Sequence, residues 1–329
     1  MAELRFPISD EFFQLPTIQP AEIERYRAFG RQVAQELVDM AKLTNGHINW
    51  TKQSKTSTAT LFESRVENLP AFLAESEILA TVDKVIAVFQ TTTMPTTRNL
   101  QRRFQPAVLD IVRLYNLTMP TADNSYLYQS LNWLIRDPPL LGAFLRRRDV
   151  SFIEHQEVIE IDGRRAYVLA KASIEIPGVH NLERDYNVVR SEYLHEGFIF
   201  AETDRPGVLK LLSVHHLRPN GSGNSAFGKF VMSHNVRFPI QSIEDVERLI
   251  RSHQLSQLTF VDQFSLPTVH TQSKCQVCSK AFGNGQKGHC RHCSRIVCVR
   301  PCSAEWDLVK GGLSFTVRIC VLCSRQSEN

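Results

Sequence analysis

Arg148-Asp-Val-Ser-Phe-Ile-Glu-His-Gln-Glu-Val-Ile-Glu-Ile-Asp162-Gly163-Arg-Arg-Ala-Tyr-Val-Leu-Ala-Lys-Ala-Ser173 is the stretch on which the fold turns. Ser151–Ile161 and Arg165–Ile174 read as two extended runs, and the Asp-Gly between them suits a two-residue hairpin turn. A second pair follows, Arg190–Glu202 and Val208–Leu217, around the turn residues Asp204-Arg-Pro-Gly207. Upstream, Tyr126–Leu134 reads as a strand ended by Pro138-Pro139, and Trp50–Val66 as edge strands. Helices stand on either side. In residues 21–43, Ile23, Tyr26, Gly30, Val33, Leu37 and Met40 form one stripe, closed by Asn45-Gly46. Glu77–Gln90 places Ile78, Val82, Val85, Ile86 and Phe89 on one face, and a loop containing Pro95 and Pro120 surrounds Val108–Leu117. Ser242 reads as the N-cap of a last helix, with Glu244, Asp245 and Glu247 early and Arg248 and Arg251 late. Consecutive antiparallel hairpins between helices predict an α+β fold.

With 329 residues, 43% hydrophobic and 22% charged, the chain has globular composition. No apolar run approaches the roughly 18–20 residues of a membrane-spanning helix. Met1-Ala-Glu-Leu-Arg-Phe-Pro7 lacks the basic flank and apolar stretch of a secretory signal. The expectation is a cytoplasmic protein, or one docked on a cytosolic membrane face.

All eight cysteines fall between Cys275 and Cys323, as Cys275-x2-Cys278, Cys290-x2-Cys293, Cys298-x3-Cys302 and Cys320-x2-Cys323. Four close pairs in so short a segment point to metal ligands, ahead of a disulfide framework or a redox pair. Two pairs complete one tetrahedral site, so eight thiolates make two closed, structural sites. Spacing does not say which pairs share an ion. Zinc is the expected metal and an iron–sulfur cluster the alternative. A core this thin would draw much of its folding free energy from the metal. Charge divides at the same place. From His270 to Asn329 there are nine Lys/Arg against three Asp/Glu, whereas the other 269 residues carry 29 basic and 31 acidic side chains.

Arg148-Asp149-Val-Ser-Phe-Ile153, the Asp162-Gly163 turn, Tyr167-Val-Leu-Ala-Lys-Ala-Ser173 and Arg190-Ser-Glu-Tyr-Leu-His-Glu-Gly-Phe198 together resemble the START-like lipid-binding domain. That resemblance implies a helix-grip fold, a curved antiparallel sheet with flanking helices, and a cavity for a hydrophobic lipid. Lys287-Gly-His-Cys-Arg-His-Cys293, Ile296-Val-Cys298 and Val317-Arg-Ile-Cys320 resemble the FYVE-type zinc finger. It implies a cross-brace with two structural zinc ions, one on Cys275, Cys278, Cys298 and Cys302, the other on Cys290, Cys293, Cys320 and Cys323. It also implies phosphatidylinositol 3-phosphate binding on endosomal membrane, through Lys287, His289, Arg291 and Arg318. The match is partial. Gln286-Lys287-Gly288-His289 precedes Cys290 where the family has two basic residues and two histidines, and Leu266-Pro-Thr-Val269 stands in place of Trp-x-x-Asp. The loop that would enter the bilayer reads Gly283-Asn-Gly285, beside Phe282, and the third cysteine pair has one extra intervening residue.

The whole resembles the two-domain START/FYVE proteins of oomycetes. The implied order is an N-terminal extension (1–19), a START-like domain (20–262), a linker (263–273) and a FYVE-type finger (274–325). The expected function is a non-enzymatic, zinc-binding membrane adaptor. The alternatives are a scaffold whose finger binds an unknown protein partner and, less favoured, an E3-ligase-type cross-brace. No basic recognition helix follows the ligands, so no nucleic acid partner is expected. His215 and His216 on one strand would point to opposite faces, and His195, Glu196, His155 and Glu157 read as isolated, so no enzyme is expected.

Overall fold

The structure, a computed structural model, describes residues 3–9, 11–137, 146–221, 237–282 and 286–326. Pro138-Pro139 and Gly283-Asn-Gly285 lie outside the described residues. Two compact units emerge, Met1–Val246 and Glu247–Asn329.

The first unit opens with helix α1 (Pro20–Met40), then β1 (Thr51–Lys55), β2 (Thr60–Val66) and β3 (Leu69–Leu79). Helices α2 (Val82–Phe89) and α3 (Met94–Phe104) precede β4 (Val108–Thr118), β5 (Tyr128–Arg136), β6 (Arg148–Ile161) and β7 (Arg164–Ser173). The short α4 (Glu183–Tyr186) and β8 (Val189–Arg190) lead into β9 (Glu192–Glu202) and β10 (Val208–Arg218). Helix α5 (Arg237–Ser256) follows, and the division between the units falls within it. The strands form one sheet in the order β1-β2-β3-β10-β9-β7-β6-β5-β4, antiparallel throughout, with β8 added parallel to β6. The turn joining β6 to β7 is Asp162-Gly163, with φ of 51° and 74°, the paired left-handed conformation its sequence favours.

Helix α1 packs on one face of the sheet. Its Val33, Ala34 and Leu37 join Leu131, Trp133, Ile153, Val168, Ile199 and Val214 in the main core. Gly30 allows the close approach, because a Cβ there would stand 2.7 Å from Gln129 Nε2 and 3.2 Å from His155 Nδ1. Asp149, fully buried at the start of β6, accepts from Trp133 Nε1 (2.8 Å) and from Nε and Nη2 of Arg190 (3.0 and 2.7 Å). That carboxylate ties β5, β6 and β8 together.

The second unit contains β11 (Lys287–His289) paired with β12 (Ile296–Cys298), β13 (Ser303–Lys310) paired with β14 (Leu313–Cys320), and the short helix α6 (Val321–Gln326). Its core is small: Leu255, Phe282, Ile296, Val297, Leu308, Val317 and Ile319 gather around cysteines.

Four sequence expectations need correction. Residues 77–79 finish β3, and the helix starts only at Val82, after Thr81 Oγ1 accepts the N–H of Lys84 at 3.3 Å. The loop around Pro95 is helix α3, because proline is tolerated in a first helical turn. Helix α1 stops at Met40, whose carbonyl accepts from Trp50 Nε1 at 3.0 Å. Ser242 does not cap α5. It lies inside the helix, buried, with Pro239 in the first described turn.

Candidate functional site

The eight cysteines gather into two groups, Cys275/Cys278/Cys298/Cys302 and Cys290/Cys293/Cys320/Cys323, each with its sulfurs within 4.8 Å of one another. Each group could hold one metal ion. Cys278 Sγ to Cys298 Sγ is 4.0 Å and Cys293 Sγ to Cys320 Sγ is 3.9 Å. Tetrahedral coordination with metal–sulfur bonds of about 2.3 Å needs sulfurs about 3.8 Å apart, so the groups fit such an ion. Backbone N–H groups aim at the sulfurs as they do at thiolates: Val277 and Cys298 donate to Cys275 Sγ at 3.4 Å, and Cys323 to Cys320 Sγ at 3.5 Å. Burial opposes ionisation of Cys275 and Cys290, yet backbone donors outweigh it and hold both thiols below their ordinary range. Burial and then neighbouring thiols push Cys298, Cys302 and Cys320 up. Four thiolates in so small a space repel, and a shared cation is what would let all of them ionise.

The local chain explains the gathering. Ser279 and Ser294 each take a positive φ and return their N–H to the carbonyls of Cys275 and Cys290, closing tight turns that present two thiols on one side. The pairs alternate along the chain, first with third and second with fourth.

The basic residues lie on and beside β11, and their side chains engage the chain itself. Lys287 Nζ donates to the Gln272 carbonyl at 2.8 Å, and His289 Nε2 to that of Pro267 at 2.6 Å. Arg291 places Nε and Nη2 on the Val261 carbonyl (3.2 and 2.9 Å), and His292 Nδ1 reaches that of Thr259 (2.9 Å). Arg318 donates to the Val299 carbonyl at 3.1 Å and pairs with Glu305 at 2.7 Å. Residues 259–272 thus form a strap along the basic row.

In the first unit, the sheet face opposite α1 carries a polar line that the sequence reading missed. Ser130, Glu154, Lys171, Glu196 and His215 are direct cross-strand partners on β5, β6, β7, β9 and β10. Lys171 Nζ lies 3.4 Å from Glu154 Oε2, both side chains under one-fifth exposed. His215 Nδ1 meets both oxygens of Glu196 at 2.9 Å, and its Nε2 lies 2.7 Å from Ser213 Oγ. Phe238 and Ser242 of α5 and the Phe89/Phe198/Phe200 cluster cover this side. Glu196 is therefore not isolated. The Ser213–His215–Glu196 chain could polarise a hydroxyl, but β10 pairs on both sides, so its backbone donors are committed to the sheet. The signal was present: counting the β9–β10 register outward from Asp204–Gly207 sets His215 opposite Glu196 and His216 opposite His195. His215 and His216 do face opposite sides, as alternation requires.

No known family profile matches the chain. Among solved structures it is similar to human StAR-related lipid transfer protein 5, with a TM-score of 0.53 and 11% identity over 69% of this chain and 97% of that one. The first unit has the START fold, and the cysteine clusters fit small metal-binding fingers. In sequence, the chain is 30% identical to mouse rabankyrin-5 over 105 residues and 38% identical to human rabankyrin-5 over 52. These matches take in 31% and 16% of this chain, but span only 9% and 4% of the two relatives.

Proposed function

We propose that this chain is a non-enzymatic, lipid-binding membrane adaptor of the cytoplasm. The START-fold unit would hold one lipid, its polar end against the Glu154–Lys171–Glu196–His215 line and its apolar body among the aromatic side chains nearby. The cysteine-rich unit would be a FYVE-type finger with two structural zinc ions, docking on anionic, phosphoinositide-containing membrane such as the endosome's. One observation carries the reading: two alternating four-cysteine groups bracket a basic strand, in the same chain as a START fold. All-sulfur tetrahedral ligation without an open position suits a structural zinc ion, with iron the alternative that such ligands also accept.

Flotation of the purified, zinc-loaded chain with vesicles is the test. Recovery should be stronger when they contain phosphatidylinositol 3-phosphate, and native mass spectrometry should show two zinc ions and a bound lipid. A chain that stays empty after incubation with a cell lipid extract overturns the lipid half of the reading. A scaffold that binds a protein partner is the second reading. It is favoured by the engagement of Lys287, His289 and Arg291 with the strap carbonyls. Equal recovery on all vesicles would move the conclusion there.

A further inference from the structure

Phe264 is 99% exposed, the most exposed large apolar side chain among the described residues. It sits at the centre of the strap, in the single helical turn Gln263–Ser265, which Asp262 fixes by accepting the N–H of Phe264 at 2.8 Å. Three residues to one side, Val261 is held by Arg291 through both its N–H (2.7 Å) and its carbonyl. Three residues to the other, Pro267 is held by His289. The phenyl ring is thus displayed in water by a loop pinned at both ends to basic side chains.

The partners of Lys287 and Arg291 matter as much as the pinning. A carbonyl oxygen is a dipole and carries no formal charge, so these two hydrogen-bonded cations keep their attraction for an anionic surface. Arg318 differs, since Glu305 offsets its charge. Asp262 is the strap's one carboxylate, and from His270 onward nine Lys/Arg stand against three Asp/Glu. An exposed ring on a strap held by these cations suits a surface recognised by both charge and apolar depth.

We infer that Phe264 is a bilayer anchor: the strap, with the basic row beneath it, is the part of this unit that contacts an anionic lipid membrane, and the phenyl ring enters it. This rests on the membrane half of the proposed function and names the element responsible.

The experiment uses the full, zinc-loaded chain and vesicles of phosphatidylcholine alone, with phosphatidylserine, or with phosphatidylinositol 3-phosphate. Phe264→Ala should weaken binding to both anionic mixtures by roughly tenfold or more, the scale for burying one aromatic ring. So exposed a position should leave zinc content and circular dichroism unchanged. Phe264→Trp should retain binding, and the introduced indole should shift to the blue and be quenched by brominated lipid. Wild-type binding by Phe264→Ala, together with loss of binding in Lys287→Ala/Arg291→Ala, would overturn the anchor and leave the proposed function standing. If the unaltered chain binds no vesicle of any composition, the anchor and the membrane half of the proposed function fall together.

Discussion

His216 is 1% exposed, its ring stacked on that of His195 across the β9–β10 pair, with Nδ1 atoms 3.3 Å apart. Its Nε2 has no hydrogen-bond partner. Burial, then His195 and, least, Arg218 depress it to about 4, although the Val66 backbone and Glu67 act the other way. On unfolding it would return to about 6.5. The unfolded state therefore binds the extra proton first, and stability should fall as pH drops from about 6.5 towards 4, by on the order of 2–3 kcal/mol. Denaturant titrations across that range, repeated with His216→Gln, check this: the variant should show a flatter dependence. The cross-strand pairing responsible was legible from hairpin register. The missing partner at Nε2 was not, because it depends on which side chains and backbone groups of neighbouring strands close around the ring.

At the scale of elements, legibility followed local chemistry. The β6–β7 hairpin could be read because alternation and Asp162-Gly163 agree. Gly163 has a φ of 74° with open space where a Cβ would stand, so Gly163→Ala meets backbone strain without a clash. It should cost about 1–2 kcal/mol, read as a lower melting temperature with binding retained. Strand β3 was hidden, since its entry turn, Glu67-Asn68, takes positive φ at both residues without a glycine to announce it. Helix α3 was hidden by Pro95, whose place in a first turn looks like a loop in sequence. The basic residues of β11 were legible as types, but their partners lie on a strap whose path no periodicity encodes.

For the molecule as a whole, composition was informative in one place. Cysteine content and charge mark the cysteine-rich segment, whereas the units divide inside α5, at a point no change in composition marks. The START-fold unit has a broad apolar core, and the second unit has few apolar residues beyond its cysteines. Metal removal should therefore act unevenly. With a strong chelator, proteolysis should remove residues beyond about 247 while the sheet of the first unit keeps its circular dichroism, and returning zinc should restore protection. Loss of structure in both units together would contradict this.

The alternation of the two cysteine groups has a further consequence. Each ion would close a ring of chain containing half of the other ion's ligands, so the rings are linked like two buckles fastened through one another. Releasing either ion loosens the frame that aligns the second, and restoring either rebuilds it. A half-loaded finger is then the least favourable of the three states, and scarcity of metal would reduce the number of working molecules, leaving those that remain fully formed.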